Sequence, residues 1–274
     1  MIEDSLPVGE VGSWVREKHD YLKRYINISR KTRLKYMPPL GRGGATYTDL
    51  FCGAGRANIR NTDQIVDGSA LTAWRASVEG GALFTKVYVC DHDPVLLDAC
   101  VKRLQLAEAP VQGFCMSAVD AASQINEEIQ SFYPYGLHFA FIDPFNLEQL
   151  DFDILDELAD IKRMDLLIHL SVMDLQRNLK INLQAEESAF DLFAPGWRDS
   201  VDAQGTQTEV RRRVVEFWRS KVESLGLWPS LNHRLITGDK QQPLYWLLLA
   251  ARHELAHDFW DVASNPEGQG NLFG

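Results

Sequence analysis

Apolar positions change their period repeatedly along this chain, and each change marks an element. From Trp14 to about Leu34, Val15, Leu22, Tyr25, Ile26 and Ile28 recur at helical spacing, and Met37-Pro38-Pro39 ends the pattern. T-Y-T-D-L-F (46–51) then reads as a short buried strand running into a glycine turn, C-G-A-G. The same grammar repeats downstream: a helix over 70–79, a strand over 86–91, and a helix to about Ala107 with Asp93 as N-cap and Pro94 at its first position. A weak strand (111–115), a helix (117–132) and a strong strand (137–143) follow, then a helix (150–162) and a continuous apolar strand (165–172) of the kind buried on both faces.

Residues 174–207 are mixed and polar around Pro195-Gly196 and read as a partly helical, irregular insertion. Thr208 to Leu225 forms an amphipathic helix with Val210, Val214, Phe217, Trp218, Val222 and Leu225 inward. The strands 233–238 and 243–251 are joined by so short a connection that they pair antiparallel. A helix over 253–263 and a polar tail complete the chain. Strands alternating with helices imply right-handed crossovers and a mainly parallel sheet covered on both faces. The expected organisation is a basic N-terminal helix and lead-in (1–44), one α/β domain (45–263) and the tail (264–274).

Composition changes this picture in three places. The chain has 274 residues, 45% hydrophobic and 24% charged, which is an ordinary globular mixture. Its longest apolar stretches, Leu166–Val172 and Leu244–Ala251, fall far short of the roughly 20 residues of a membrane helix, and the N-terminus lacks a signal-like core, so a cytoplasmic protein is expected. Cys52, Cys90, Cys100 and Cys115 are too sparse for a disulfide scaffold and lack zinc-type pairing, and are expected reduced and partly buried. Net charge is −10, yet residues 16–42 carry nine Lys/Arg against two acids. That segment is either a basic face for nucleic acid or a solvated amphipathic helix.

The sharpest chemical feature is D-L-F-C-G-A-G (49–55) at the end of the first sheet strand. Two glycines one residue apart let the backbone turn tightly and approach a ligand at the carboxyl edge, where open α/β sheets bind them. A dinucleotide fingerprint wants a third small residue where Asn58 stands, which disfavours nicotinamide. Asp91 ends the second strand, where a carboxylate accepts two ribose hydroxyls. Its distance of 36 residues from Gly55 implies an insertion over 56–68. Asp174, Arg177 and Asn178 follow the fifth strand, with Arg177 either a phosphate or carboxylate contact or an exposed loop charge. His253 and His257 have ligand-like spacing but no indicated third ligand.

The D-x-F-x-G-x-G form resembles the first motif of class I S-adenosylmethionine-dependent methyltransferases, and the expected fold is therefore Rossmann-like, with a mainly parallel seven-stranded sheet and an antiparallel C-terminal strand pair. The resemblance implies that Asp49, Phe51, Gly53, Gly55, Asp91 and Ser117 hold S-adenosylmethionine, Asp49 at its amino group and Ser117, with Cys115 and Met116, near the adenine. Ser117 reads equally as a helix N-cap. F-I-D-P-F resembles the D/N-P-P-Y/F motif of amino-group methyltransferases, shortened by one Pro. It implies that Asp143 and the Pro144 carbonyl orient an acceptor amine while Phe145 packs on a planar target. DNA cytosine-C5 methyltransferases have a similar first motif but need a Pro-Cys nucleophile, which this sequence lacks. Cys52 is read as a packing residue.

Read in order, the basic Tyr-rich helix (21–26), Y-T-D-L-F-C-G-A-G, D-G-S-A-L, the V-Y-V-C-D strand, F-A-F-I-D-P-F, D-L-L-I-H-L-S-V and D-L-Q-R-N-L resemble the three-Cys-motif partner family of bacterial proteins over roughly residues 18–263. The departures are D-P-F-N where that family usually has D-P-Y-G, and Ser117 where it often has Asp-x-Asn near the third strand. That family implies fold and cofactor but no settled substrate; the F-I-D-P-F resemblance implies methyl transfer to an amino nitrogen of a nucleobase or other planar acceptor. The alternative is a non-catalytic, S-adenosylmethionine-binding partner subunit of a neighbouring three-Cys-motif protein. A nuclease-like reading lacks a metal-binding carboxylate cluster. Finally, Gln269, Leu272 and Phe273 in the tail resemble a sliding-clamp docking peptide on a Pro/Gly-rich tether.

Overall fold

In the computed structural model, which describes residues 4–265, the chain order of the main strands is β1 (Ala45–Asp49), β2 (Lys86–Cys90), β3 (Val111–Phe114), β4 (Leu137–Ile142), β5 (Met164–Ser171), β6 (Trp228–Thr237) and β7 (Pro243–Ala251). They form one sheet in the order β3-β2-β1-β4-β5-β7-β6. The first five strands are parallel, and β7 runs antiparallel to both β5 and β6. This is the expected architecture. Its order reverses beside β1, so the ends of β1, β2 and β4 converge on one crevice.

Helices cover both faces. They are α1 (Val15–Ile28), α2 (Ser69–Glu79), α3 (Pro94–Leu106), α4 (Ala118–Phe132), α5 (Phe152–Ala159), α6 (Val172–Arg177), α7 (Gln207–Ser224) and α8 (Glu254–Ser264). One core packs Ile125, Leu155, Val214 and Trp218 against Leu166 and Ile168. The other packs Leu22, Ile26, Trp74, Leu104 and Trp260 against Val87, Phe139, Leu167 and Leu247. Alternate β5 residues feed opposite cores, as the period of a strand requires. Side chains start the helices where the sequence placed its N-caps: Asp93 accepts from Val95 and Leu96, and Ser117 accepts from Asp120. His253 caps α8 through Nδ1 at 3.1 Å from the Leu255 amide, which gives that histidine a structural task.

The structure fills in two expectations and corrects two more. The 56–68 insertion is a pair of short strands, Arg56–Ile59 and Ile65–Asp67, completed by Gly9–Val11 into a second, three-stranded sheet. Residues 174–207 hold ordered short helices, whose Phe190, Phe193 and Trp197 are buried in the first core. The strand expected over 233–238 begins at Trp228, because β6 is a sheet edge and tolerates Pro229 there. The basic N-terminal segment is not all surface: Arg33 is buried and donates to the Ala82 and Ile26 carbonyls, while Lys18 is turned inward. The cysteines are free, three of them buried and Cys115 exposed. Among the described residues no helix is long and apolar enough to cross a membrane.

A carboxyl group also lies within the sheet. The Tyr25 hydroxyl donates to Asp165 at 2.8 Å, and burial pushes the Asp165 carboxyl up to about 7, opposed only by that hydrogen bond. The folded chain therefore keeps a proton that the unfolded chain releases near pH 4, and stability is lost as pH rises through about 7. Asp165→Asn keeps an acceptor for Tyr25 and removes this loss. In urea titrations the variant should gain on the wild type between pH 4 and pH 8, by at most about 4 kcal/mol.

Candidate active site at the carboxyl edge

The glycine turn follows β1 directly. Gly53 and Gly55 have φ of +53° and +75°, which L side chains rarely adopt. They serve different ends. A Cβ on Gly55 would sit 3.1 Å from Cys100 of α3, so this glycine permits close packing. A Cβ on Gly53 would meet nothing within 4 Å, so this glycine faces the open crevice. Cys52 is buried among core residues.

Asp91 stands beside the turn. One of its oxygens accepts from the Gly53 amide and the other from the Asp93 amide, each at 2.9 Å. Two fixed backbone donors leave each oxygen a further lone pair, the capacity a pair of ribose hydroxyls would use. Asp49 lies fully buried below, accepting from the Phe51 amide at 3.2 Å and the Tyr47 hydroxyl at 3.3 Å. Burial raises its carboxyl to about 6, against the hydrogen bonds, and the nearby Asp143 charge adds to the rise. A cation bound beside such a group favours loss of its proton to solvent. Ser117 caps α4 and is bonded to Asp120 at 2.7 Å, and it stands with Cys115 and Met116 at the end of β3. Phe51 is half-buried against the first core.

Asp143 follows β4, next to β1 in the sheet, and Asp49 is in register with Phe141. Its environment is what the sequence did not announce. Lys18 of α1 ion-pairs with Oδ2, and His169 of β5 approaches Oδ1 with Nδ1 at 2.7 Å. Burial opposes ionisation of Asp143, yet the Lys18 charge and the His169 hydrogen bond outweigh it and hold the carboxyl below the usual carboxylate range. The Lys18 ammonium lies 5.9 Å from the Phe141 ring centre and 5.8 Å from that of Tyr245. Tyr245 lies against the His169 ring, with centroids 3.8 Å apart. The His169 Nε2 and the Tyr245 hydroxyl are buried with no hydrogen-bond partner among the described residues.

Phe145 is 88% exposed at the rim, and its amide is fixed by Gln149 at 3.0 Å. Asp174 braces this turn by accepting from the Leu147 amide at 2.7 Å and from Asn178. The crevice thus unites Asp49, Gly53, Asp91 and Asp143 on neighbouring strand ends. Sequence reasoning missed Lys18, His169 and Tyr245. Each lay inside a pattern already explained as helix or strand, and the signal was a polar residue in an apolar run.

No family model matches the chain, and no curated protein matches it in sequence. Solved structures do match in fold. An O-methyltransferase from Bacillus cereus, in complex with S-adenosylhomocysteine, shares 11% identity with a TM-score of 0.50, covering 90% of this chain and 84% of that one. A protein from Legionella pneumophila str. Philadelphia 1 shares 11% identity with a TM-score of 0.51, over 89% and 90% of the two chains. The fold is that of class I methyltransferases.

Proposed function

We propose that this chain is an S-adenosylmethionine-dependent methyltransferase that acts on an amino nitrogen of a nucleobase or other planar acceptor. The observation that carries the reading is the juxtaposition of two built halves on adjacent strand ends. Gly53 opens a side-chain-free cradle beside the oriented Asp91 carboxylate, and Asp143 is held ionised two residues past the β4 position paired with Asp49. S-adenosylmethionine fits the first half: its ribose hydroxyls match Asp91, its ammonium matches buried Asp49, and the end of β3 at Cys115, Met116 and Ser117 faces its adenine. When bound it supplies the methyl group. The second half belongs to the acceptor. Asp143 with the Pro144 carbonyl accepts hydrogen bonds from its amine, and exposed Phe145 offers a ring for stacking. Rate enhancement then rests on alignment of the acceptor nitrogen.

The Lys18 ammonium sits where that amine would bind. An acceptor amine exchanges with it, one N–H donor for another. The same ion pair is the specific observation that favours the second reading, a cofactor-binding partner subunit in which Asp143 stays closed. In either reading the chain belongs with the three-Cys-motif partner proteins, with a three-Cys-motif protein as its companion. Arg16, Lys23, Arg30, Lys31, Lys35 and Arg42, all exposed, offer nucleic acid a contact surface. The clamp-docking residues Gln269, Leu272 and Phe273 lie outside the described residues, and docking on a sliding clamp remains part of the proposal.

Two measurements check this reading. Calorimetry should show S-adenosylmethionine binding that strengthens as pH rises through about 6, with proton release, because its ammonium displaces the Asp49 proton. Binding independent of pH between 5 and 7 contradicts the Asp49 assignment. Protein incubated with methyl-tritiated S-adenosylmethionine should label one of three unmodified pools: DNA, RNA or protein. Asp143→Ala should abolish labelling and leave cofactor affinity within about threefold. Cofactor binding without labelling of any pool supports the partner-subunit reading instead.

A further inference from the structure

A cavity of about 460 Å3 lies outside the crevice, between α1 and α2. The two helices run side by side: Arg16 bonds Gln64 just before α2, and the Asn27 side chain lies against Gly80 just after it. Two buried polar side chains line the cavity, His19 at 6% exposed and Thr72 at 4%. Neither side chain forms a hydrogen bond among the described residues. Burial, reinforced by Lys18 and Lys23, lowers the His19 pKa to about 3 against the pull of Asp143, so the ring is neutral at pH 7. It offers one donor and one acceptor, and the Thr72 hydroxyl offers both. Buried polar groups are paired in folded proteins, with water or a ligand where protein supplies no partner. The space here falls in the range of small-molecule sites, about 300–1,000 Å3.

The charges of the lining narrow the ligand. Asp67 is taken up by Arg75 at 3.0 Å and Arg56 at 3.2 Å, and Asp20 lies 3.8 Å from Lys23. Arg16 bonds a neutral partner, Gln64, and no carboxylate among the described residues pairs with it. An anionic group on the ligand therefore has a cation to meet. Asp20 and Glu79, both exposed on the lining, favour a ligand that also carries hydrogen-bond donors over a bare anion. A nucleotide has both: a phosphate, and the hydroxyl and amino groups of its sugar and base.

We propose that this cavity binds one nucleotide of a nucleic-acid strand, the one that flanks the acceptor base. The identity of that base as acceptor rests on the methyltransferase reading. The phosphate meets Arg16 at the exposed mouth, and sugar or base edges meet His19 and Thr72 on the buried floor. Cavity and crevice lie on two flanks of α1, because successive helix residues project about 100° apart. Lys18 enters the crevice and His19 the cavity, and the Asp143 charge acts on both. A strand held in the cavity thus presents its neighbouring nucleotide to the Asp143 side of the helix.

Direct binding tests the assignment without turnover. Fluorescein-labelled single strands of DNA and of RNA, mixed in sequence, are titrated with the full chain at low salt, and free AMP is titrated by calorimetry. At least one strand should bind, and which one names the source of the nucleotide. Arg16→Gln should weaken that binding about tenfold or more, the scale of a lost hydrogen bond to a charged group. Thr72→Val, which keeps the side-chain shape, should weaken it about threefold. Lys31→Gln removes the same charge outside the cavity and should change it by no more than about twofold. The His19 ring signals in 1H–15N spectra should shift as the strand is added. Equal losses from Arg16→Gln and Lys31→Gln overturn the proposal, as does a bound strand that leaves His19 unmoved. So does binding of neither strand, with or without binding of AMP. Strand binding with these variant effects but no labelled pool supports the nucleotide site and contradicts the methyltransferase reading alone. A labelled protein pool with no strand bound contradicts the nucleotide site alone.

Discussion

The carboxylate of Asp143 is the charge around which this edge of the molecule is organised. It sits at the end of a buried strand, where an isolated anion would be heavily penalised, and it persists because Lys18 and His169 supply a full charge and a hydrogen bond. The pairing ties three elements that the chain order keeps far apart: α1, the end of β4 and the interior of β5. It also explains why α1 belongs to the domain and is no detached basic arm. Its apolar face packs on the sheet through Leu22, Tyr25 and Ile26, and the same docking carries Lys18 to the crevice.

A contrast between two buried acids follows from these surroundings. Asp143 and Asp49 lie on adjacent strands, but one has a cation and the other has only neutral donors. The first is held ionised and the second is pushed up toward neutrality. Ionising both would place two anions near each other in a desolvated site. The arrangement raises the cost of ionising Asp49, so below about pH 6 a cation arriving beside it is matched by loss of its proton. That division suits a crevice that binds a cationic ligand on the β1–β2 side and a hydrogen-bond donor on the β4–β5 side.

Much of this was legible in the sequence because it follows from local rules. The strand–helix alternation, the antiparallel return, the Gly53–Gly55 turn and the caps at Asp93 and Ser117 each depend on residues within one turn or one strand. What was not legible depends on long-range contact. The strands Gly9–Val11, Arg56–Ile59 and Ile65–Asp67 are too short and polar to show a period, and they form because they pair with one another. His169 reads as one polar interruption in an apolar run, and only the β4–β5 pairing brings it to Asp143. Lys18 was one of nine local cations, with nothing in its neighbours to set it apart.

The central claim is that Lys18 and Asp143 form a coupled, desolvated pair that organises the crevice. A double-mutant cycle with Lys18→Met, Asp143→Asn and the double variant, followed by urea denaturation at pH 7, measures that coupling directly. The account predicts a coupling energy of about 2 kcal/mol or more, as befits a pair withdrawn from water. A coupling below about 0.5 kcal/mol, the range of exposed surface pairs, would contradict it.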